Sequence, residues 1–473
     1  MLTGQHAGAR KAVQIAAALG QQVLGLEWEA ACRHAGVKLA AALIEALMRA
    51  RLIEPTEGGY RFAHVMIQEC LEGEARREGH WAELNRACAL ALGIHTDPGR
   101  RGRLLYESGD LEGACNALLA GARRHLDAFA FREALPLTRL LDDHVLAGTV
   151  IAAADRRRGE ANLIRVRTLI GMGQLQDADR AAMRAAESAR TQRWPDIRAR
   201  ALRYRGMALE KIGDLPLAEA VFTQAEVLAE VAGDEENLAA CLEHRGTLLR
   251  HQGDLSGSSR LLEDALVITR RLGESRLIAD CLKELGGTLV NRGLFSDAEP
   301  LLREALALYT TLGSVTGRAA CLNNIGELER MAGDFVAAEA TYQAAFDVLF
   351  AAGHHASVIP LLNIGQIRIS LQDYASATTI LERGVALAGT LNRRAMALHG
   401  HARLLVCRAA SGDWIAFDRD LDSATALTAE TGLVDAEIAA SCRLAAELAE
   451  RAGEGGRAQA ARTLSSAHHA GTT

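Results

Sequence analysis

A glycine recurs at intervals of forty residues along much of the chain. Each of these anchor glycines lies in a short segment such as Lys211-Ile-Gly-Asp-Leu215, which returns as His251-Gln-Gly-Asp-Leu255. A second glycine stands seven residues before the anchor in most units. Repetition at such a period is typical of solenoids, in which stacked copies of one small unit share a continuous core. The anchors are Gly173, Gly213, Gly253, Gly293 and Gly333, and the earlier glycines are Gly206, Gly246, Gly286, Gly326 and Gly365.

Each forty-residue unit is predicted to be a hairpin of two helices. Leucines follow helical spacing on both sides of the anchor, as Leu248 does before Gly253 and Leu262 after it. The anchor glycine can end the first helix in a left-handed conformation, and the aspartate after it can cap the second. Forty residues hold two helices of about 17 residues with short turns. After Gly333 the next anchor position falls in Leu371-Gln-Asp-Tyr374, so this one repeat is a residue shorter than the others.

The unit Gly206…Gly213…Ala218…Phe222…Ala225 matches the small and aromatic residues of the tetratricopeptide repeat (TPR) in spacing. The chain therefore resembles the TPR family, in a form with about six extra residues between units. This resemblance implies an all-α, right-handed TPR-like solenoid of helix hairpins, with the first helices lining a concave surface. We expect degenerate first repeats at 93–158, the solenoid at 159–436, and capping helices with a polar tail at 437–473.

Residues 1–92 do not follow the period. Two short strands are predicted around Thr56-Glu-Gly-Gly59, because the glycines can form the turn of a hairpin. Three helices are predicted before this hairpin and one after it. Three helices followed by a two-stranded wing is the plan of a small winged-helix domain. The predicted helices are Lys11–Leu19, Glu27–His34, Val37–Leu52 and Val65–Glu78.

The segments Ala16–Gly20, Leu43–Ile53 and Tyr60–Glu69 resemble the winged helix behind the nucleotide-binding core of STAND-class signalling ATPases. That family includes large bacterial transcriptional activators, and its order is ATPase, winged helix, TPR solenoid. The resemblance implies the last two parts. No G-x-x-x-x-G-K-[ST] phosphate loop occurs in the chain, so nucleotide hydrolysis is not carried over. Either Met1 is an internal start within a longer protein, or the ATPase was lost, or a separate chain supplies it.

The net charge, the apolar runs and the cysteines of the chain exclude several classes of protein. The 53 basic and 59 acidic residues give a net charge of −6, which does not suit a broad nucleic-acid interface. No run of about 18 apolar residues is present, so no transmembrane helix is expected. Nine cysteines without a CxxC pair suit a reducing cytoplasm. Catalytic and metal-binding motifs are missing from the sequence, so we predict a cytoplasmic protein that is not an enzyme and has no cofactor or metal.

Polar residues recur on the first helix of each hairpin, on the side that the TPR resemblance makes concave. Asn324 and Asn363 occupy the same repeat position, two residues before Gly326 and Gly365. In peptide-binding TPR proteins an asparagine on this helix holds the ligand backbone, because an amide both donates and accepts hydrogen bonds. An ordinary solvated face is the alternative interpretation. The predicted partner-binding residues are Lys283, Asn323, Asn324, Arg330, Asn363, Arg203, Glu243 and Arg250.

The sequence favours a non-enzymatic sensor and scaffold region of a STAND-type bacterial regulator of signal transduction or transcription. It would bind a protein or peptide on the concave face and act on an ATPase module in cis or in trans. Two alternatives stay open. One is a stand-alone TPR adaptor for peptides or proteins. The other is a winged-helix DNA-binding regulator, which the apolar third helix does not favour and which salt-dependent DNA affinity would support.

Overall fold

The structure is a computed structural model that describes residues 7–93, 97–128 and 130–468. This part of the chain holds 24 α-helices and one small sheet, which confirms the predicted all-α class. Two compact units divide the chain between residues 241 and 242, inside one helix. Among the described helices none is long and apolar enough to cross a bilayer. The Met1 start and the polar tail after residue 468 lie outside the described residues.

The first unit begins with five helices around a three-stranded sheet of order β1-β3-β2, antiparallel throughout. Strands β2 and β3 form the predicted hairpin, and β1 is a third strand that the sequence did not predict. It pairs Val23 with Tyr60. The elements are α1 (Ala7–Leu19), β1 (Gln22–Leu24), α2 (Gly25–His34), α3 (Ala41–Arg49), β2 (Ile53–Thr56), β3 (Gly59–Phe62), α4 (Val65–Arg77) and α5 (Trp81–Leu92).

Helix α3 is shorter than the predicted helix over Val37–Leu52. The backbone of Ala40 is extended, with φ −90° and ψ 136°, so the helix cannot begin before Ala41. Upstream, the Val37 amide donates to the Cys32 carbonyl at 2.8 Å and closes the end of α2. The residues between α2 and α3 are therefore used to finish one helix rather than to start the next.

The next three helices pack by close approach at glycine. A Cβ atom added to Gly102 in α6 would lie 2.7 Å from Leu118 in α7, so only a hydrogen fits there. Helix α8 continues into a five-residue π-helical turn, Leu141–Val145. The helices are α6 (Pro98–Glu107), α7 (Leu111–Asp127) and α8 (Phe131–Leu140).

From residue 156 onward the helices follow the predicted hairpin plan. The first unit holds α9 (Arg156–Gly171), α10 (Leu175–Thr191), α11 (Pro195–Ile212), α12 (Leu215–Ala232) and the start of α13 (Glu235–Gln252). The second unit continues with α14 (Leu255–Leu272), α15 (Ser275–Asn291), α16 (Phe295–Thr311), α17 (Val315–Met331), α18 (Phe335–Ala351), α19 (Val358–Ser370), α20 (Tyr374–Thr390), α21 (Arg394–Ser411), α22 (Trp414–Thr431), α23 (Ala436–Arg451) and α24 (Gly455–Ala467).

Left-handed residues separate these helices about every twenty positions. Anchor glycines such as Gly253 (φ 89°) end the first helix of a hairpin, and others such as Gly273 (φ 74°) end the second. Where the series runs short, Gln372 (φ 60°) and Asn392 (φ 52°) take the same conformation. The predicted aspartate caps are also confirmed, since the Asp254 side chain accepts from an amide of the first turn of α14. The left-handed residues and aspartate caps of the turns therefore determine where most helices begin and end.

The glycine seven residues before each anchor lies where two helices of a hairpin touch. A Cβ atom on Gly286 would lie 2.6 Å from the Leu302 side chain, and one on Gly365 would lie 2.5 Å from Leu381. Both leucines are fully buried. The two helices of a hairpin therefore approach closely at this glycine, and the opposite side of each first helix is available for other contacts.

Candidate functional site

The predicted partner-binding residues of the second unit separate into three groups on the first helices α13, α15, α17 and α19. One group is a cluster of ion pairs, and the other two line cavities. Arg203 belongs to the first unit, on α11. Its Nε donates to Asn237 Oδ1 at 2.6 Å, and its guanidinium lies 4.7 Å from the centre of the Tyr204 ring. The chain itself thus supplies Arg203 with a partner.

Lys283, Glu284 and Arg250 form the ionic cluster. Lys283 Nζ lies 2.8 Å from Glu284 Oε1, and Arg250 Nη2 lies 3.0 Å from Glu284 Oε2. Burial would lower the pKa of Lys283, but the charges of Glu284, Glu243 and Asp280 outweigh this effect and raise it. Burial would likewise raise the pKa of Glu284, and its cationic neighbours lower it instead. Lys283, Arg250 and Glu243 therefore compensate buried charge between α13 and α15.

Asn324 and Asn363, which share one repeat position, each reach back to the preceding first helix. Asn324 Nδ2 donates to the Lys283 carbonyl at 3.4 Å. Asn363 Nδ2 donates to Asn323 Oδ1 at 2.9 Å. Lys283 and Asn323 occupy equivalent positions, ten residues before Gly293 and Gly333. The amides are thus held in a defined direction by neighbouring helices, with part of each side chain still accessible.

Asn323 and Asn324 line the first cavity, which we call the apolar cavity. It has a volume of about 220 Å³ and lies between α17, the end of α18 and the start of α19. Burial, and after it Arg393, lowers the pKa of His354 on its wall, so this imidazole is neutral at pH 7. The remaining wall is mostly aliphatic, and includes Ala319, Ala320, Leu349, Ile359 and Pro360.

Asn363 and Arg330 line the second cavity, which we call the charged cavity. It has a volume of about 250 Å³ and is built by α17, α18, α19, α21 and α23. Arg330 Nε donates to Glu327 Oε2 at 2.9 Å, and the Tyr342 hydroxyl donates to the same oxygen at 3.0 Å. Glu327 is thereby committed to two partners. The polar and charged residues of the wall are Glu327, Arg330, Tyr342, Asn363, Gln366, Arg403, Glu437 and Ser441.

Arg403 is the most buried charge of this cavity, with 7% of its side chain exposed. Its Nε donates to Gln366 Oε1 at 3.1 Å, and its Nη2 donates to Glu437 Oε2 at 2.9 Å. Burial lowers the pKa of Arg403 against the raising effect of Glu437 and Asp435. A guanidinium keeps its proton in proteins, so the cavity holds a fixed positive charge. Glu437, its counter-ion, has a side chain 72% exposed.

Arg403 and its partners were missing from the sequence prediction, although a signal for Arg403 was present. It stands nine residues before Gly412, as Asn324 does before Gly333 and Asn363 before Gln372. Counting from the left-handed residue finds Arg403 at once. Glu437 could not be found this way, because it lies in the first turn of α23 and meets Arg403 only through packing.

Cys281 and Cys321, which lie forty residues apart, do not contribute reactive groups. Burial raises the pKa of Cys281 and of Cys321 to about 12, so the thiolate is scarce at neutral pH. Within the described ranges, no group of three or more His, Cys, Asp or Glu side chains is placed to hold a metal ion. The site offers binding contacts: fixed amides, a fixed guanidinium, and an aliphatic wall.

Comparison with known proteins supports the repeat assignment. The family model described as "Tetratricopeptide repeat" matches residues 237–311, so the chain carries TPR units there. No curated protein matches the chain. Solved structures do match it, at sequence identities that show the fold alone.

A Rap protein complexed with competence and sporulation factor is 18% identical, with a TM-score of 0.54, and the match covers 75% of this chain and 97% of that one. The apo quorum sensor NprR from B. thuringiensis is 15% identical, with a TM-score of 0.51 and coverages of 75% and 98%. A STAND protein with a TPR sensor from Pyrococcus horikoshii is 13% identical, with a TM-score of 0.53. That match covers 98% of this chain but only 62% of the STAND protein. These matches define a TPR-type helical-repeat fold.

Proposed function

We propose that the chain is a non-enzymatic, peptide-binding sensor and scaffold region of a STAND-type bacterial regulator that works in the cytoplasm. The observation that carries the proposal is the pair of adjoining cavities on the first-helix face, joined by the 2.9 Å hydrogen bond between Asn363 and Asn323. Oriented amides next to concave walls suit an extended backbone, which presents donors and acceptors in alternation.

The structural relatives support the same class of ligand. One is a Rap protein solved with competence and sporulation factor, and another is a quorum sensor. A third combines a STAND ATPase with a TPR sensor. A chain with this fold and with an open first-helix face fits the sensor part of such a protein better than an enzyme.

The N-terminal elements fit the winged-helix part of the proposal. Helices α1 to α3 precede the β2–β3 hairpin, and β1 completes a small sheet. In the proposed mechanism the bound peptide favours one of two conformations of the chain, and the winged helix transmits this preference to an ATPase module in cis or in trans. An immunoblot of the native gene product separates the two arrangements, because a band much heavier than this chain favours cis.

Peptide binding itself is tested by fluorescence anisotropy with pooled, labelled hexapeptides of random sequence. We expect saturable binding to the full chain, and at least about tenfold weaker binding to the double variant Asn324→Ala, Asn363→Ala. Asn291→Ala, at the exposed end of α15, is the matched control and should bind normally. Failure of all pools to bind would refute the proposal. Normal binding by a folded double variant would place the site elsewhere.

A further inference from the structure

We propose that this site recognises a short extended peptide carrying an aliphatic side chain and a carboxylate three residues apart. The aliphatic side chain enters the apolar cavity, and the carboxylate pairs with Arg403 in the charged cavity. The inference rests on the peptide-binding function proposed above and assigns the chemical class of the ligand.

The charged cavity favours an anion because its buried cation, Arg403, is fixed and the counter-ion of Arg403 is not. Arg403 is 7% exposed and is held by Gln366 at 3.1 Å, so it cannot leave the cavity. Glu437 holds Arg403 from the first turn of α23 with a side chain that is 72% exposed, so it can rotate into water. Glu327 cannot take its place, since it already binds Arg330 and Tyr342. An incoming carboxylate therefore displaces Glu437 and keeps the buried guanidinium paired.

The apolar cavity favours an aliphatic side chain. Its volume of about 220 Å³ admits a leucine or isoleucine side chain, and its wall is formed largely by Ala, Leu, Ile and Pro. The neutral His354 adds no charge to this wall. Asn323 and Asn324 lie at its polar edge, where they can bind the peptide backbone on either side of the inserted residue.

The distance between the cavities sets the spacing of the motif. Asn323 of the apolar cavity and Arg330 of the charged cavity are separated by seven residues of α17, which is about 10 Å along the helix axis. A polyproline-II peptide rises about 3.1 Å per residue with three residues per turn, so side chains three apart share one face at about 9 Å. This conformation has no internal hydrogen bonds, which leaves its backbone groups free to meet the Asn323, Asn324 and Asn363 amides.

The motif is tested with labelled hexapeptide pools that hold two fixed residues and are C-terminally amidated. The pools are Leu-x-x-Asp, Asp-x-x-Leu, Leu-x-x-Asn, Gly-x-x-Asp and Leu-x-x-Lys, with a fully random pool beside them. We expect one of the two Leu/Asp orders to bind about tenfold or more tightly than the Asn, Gly and Lys pools. A free-acid pool Leu-x-x-Ala shows whether a C-terminal carboxylate serves as well as a side chain.

Variants of the full chain assign the contacts. Arg403→Gln should abolish the preference for Asp over Asn, and Glu437→Gln should strengthen binding of the Leu/Asp pool several-fold, because it removes the competing carboxylate. Ala320→Leu fills the apolar cavity and should abolish the preference for Leu over Gly. Exposed residues of the second helices provide matched controls, Arg303→Gln on α16 and Ala340→Leu on α18. These two should bind as the unaltered chain does.

Several results would overturn the motif. Equal binding of the Asp and Asn pools, or a preference for Lys, would show that Arg403 does not select a carboxylate. Unchanged or weaker binding by Glu437→Gln, a variant that keeps Arg403 and changes only a mostly exposed side chain, would contradict displacement even if Arg403→Gln fails to fold. Binding of the random pool without preference would reject the motif but leave the peptide-binding function standing. Binding of no pool at all would reject both.

Discussion

The N-terminal segment, residues 7–92, and the hairpins of the second unit, residues 255–467, are both built from short helices but are held together differently. In the hairpins, the same contact returns from one forty-residue repeat to another, with Gly286 against Leu302 and Gly365 against Leu381. In the N-terminal segment each contact occurs once. Trp28 Nε1 donates to the Ala12 carbonyl at 2.7 Å, and Arg10 pairs with both Glu74 and Glu78.

This difference determines how each region responds to change. A repeated contact joins residues at a small, constant sequence separation, so an altered hairpin disturbs its own contacts and those of its neighbours. A contact that occurs once has no copy in a neighbouring hairpin, and some of these contacts, such as Arg10 with Glu74, join segments 64 residues apart, so their loss affects the whole small core. The substitutions below test this contrast, beginning with the one expected to have the largest effect.

Trp28→Ala should have the largest effect on stability. Trp28 is 1% exposed and its indole is hydrogen-bonded, so truncation leaves a cavity and removes that hydrogen bond. We expect the N-terminal segment to lose about 3–5 kcal/mol of unfolding free energy. Hydrogen-exchange mass spectrometry should show faster exchange across α1, α2 and the sheet, with the hairpins of the second unit unchanged. The control Leu26→Ala, at a side chain 82% exposed, should stay within about 0.5 kcal/mol.

Gly286→Ala should destabilise the second unit by about 1–3 kcal/mol, because the added methyl group meets the fully buried Leu302. Hydrogen exchange should rise in α15 and α16 and in the hairpins beside them. Gly389→Ala in α20 is the control, since a Cβ atom there meets nothing within 4 Å. It should stabilise the chain by up to about 1 kcal/mol through helix propensity. Equal effects of the two substitutions would show that close packing is not what requires Gly286.

Gln372→Gly should stabilise the second unit by less than about 1 kcal/mol. It relieves the left-handed backbone of Gln372, with φ 60°, but glycine loses more entropy on folding. Chemical denaturation monitored by circular dichroism measures the change. Gln343→Gly, on the exposed side of α18, should instead destabilise by about 1 kcal/mol. A loss of stability in both variants would mean that the Gln372 side chain matters more than its backbone.

The smallest change is expected when the thiols of the native chain are labelled, because Cys281 and Cys321 should not react. Burial raises the pKa of Cys281 and Cys321 to about 12, so iodoacetamide at pH 8 should leave both unmodified. Cys70, on the exposed side of α4, should react first. Peptide mass spectrometry after a short incubation measures the modification. Rapid labelling of Cys281 and Cys321 without denaturant would show that the hairpins open more readily than their packing indicates.

The contrast also explains which structural predictions succeeded. The hairpins, their anchors and their caps follow from residues near each other in the chain, such as Gly253 and Asp254. Strand β1 is only three residues long and pairs with β3, 37 residues later for Val23 and Tyr60, so local pattern did not reveal it. The overlong prediction for α3 fails for a different, local reason, because the Val37 amide is used to close α2.

The sequence alone determined the repeat period, the hairpin plan and the first-helix face, because helix capping and left-handed turns depend on residues a few positions apart. Tertiary structure decided which polar residues of that face compensate one another and which line a cavity. The charge of Lys283 is compensated by the neighbouring carboxylate of Glu284. Arg403, by contrast, is buried at a cavity wall and has an exposed counter-ion. Glu284 also pairs with Arg250, and Arg403 pairs with Glu437. Both of these pairs are 34 residues apart in the sequence, so no local pattern encodes them.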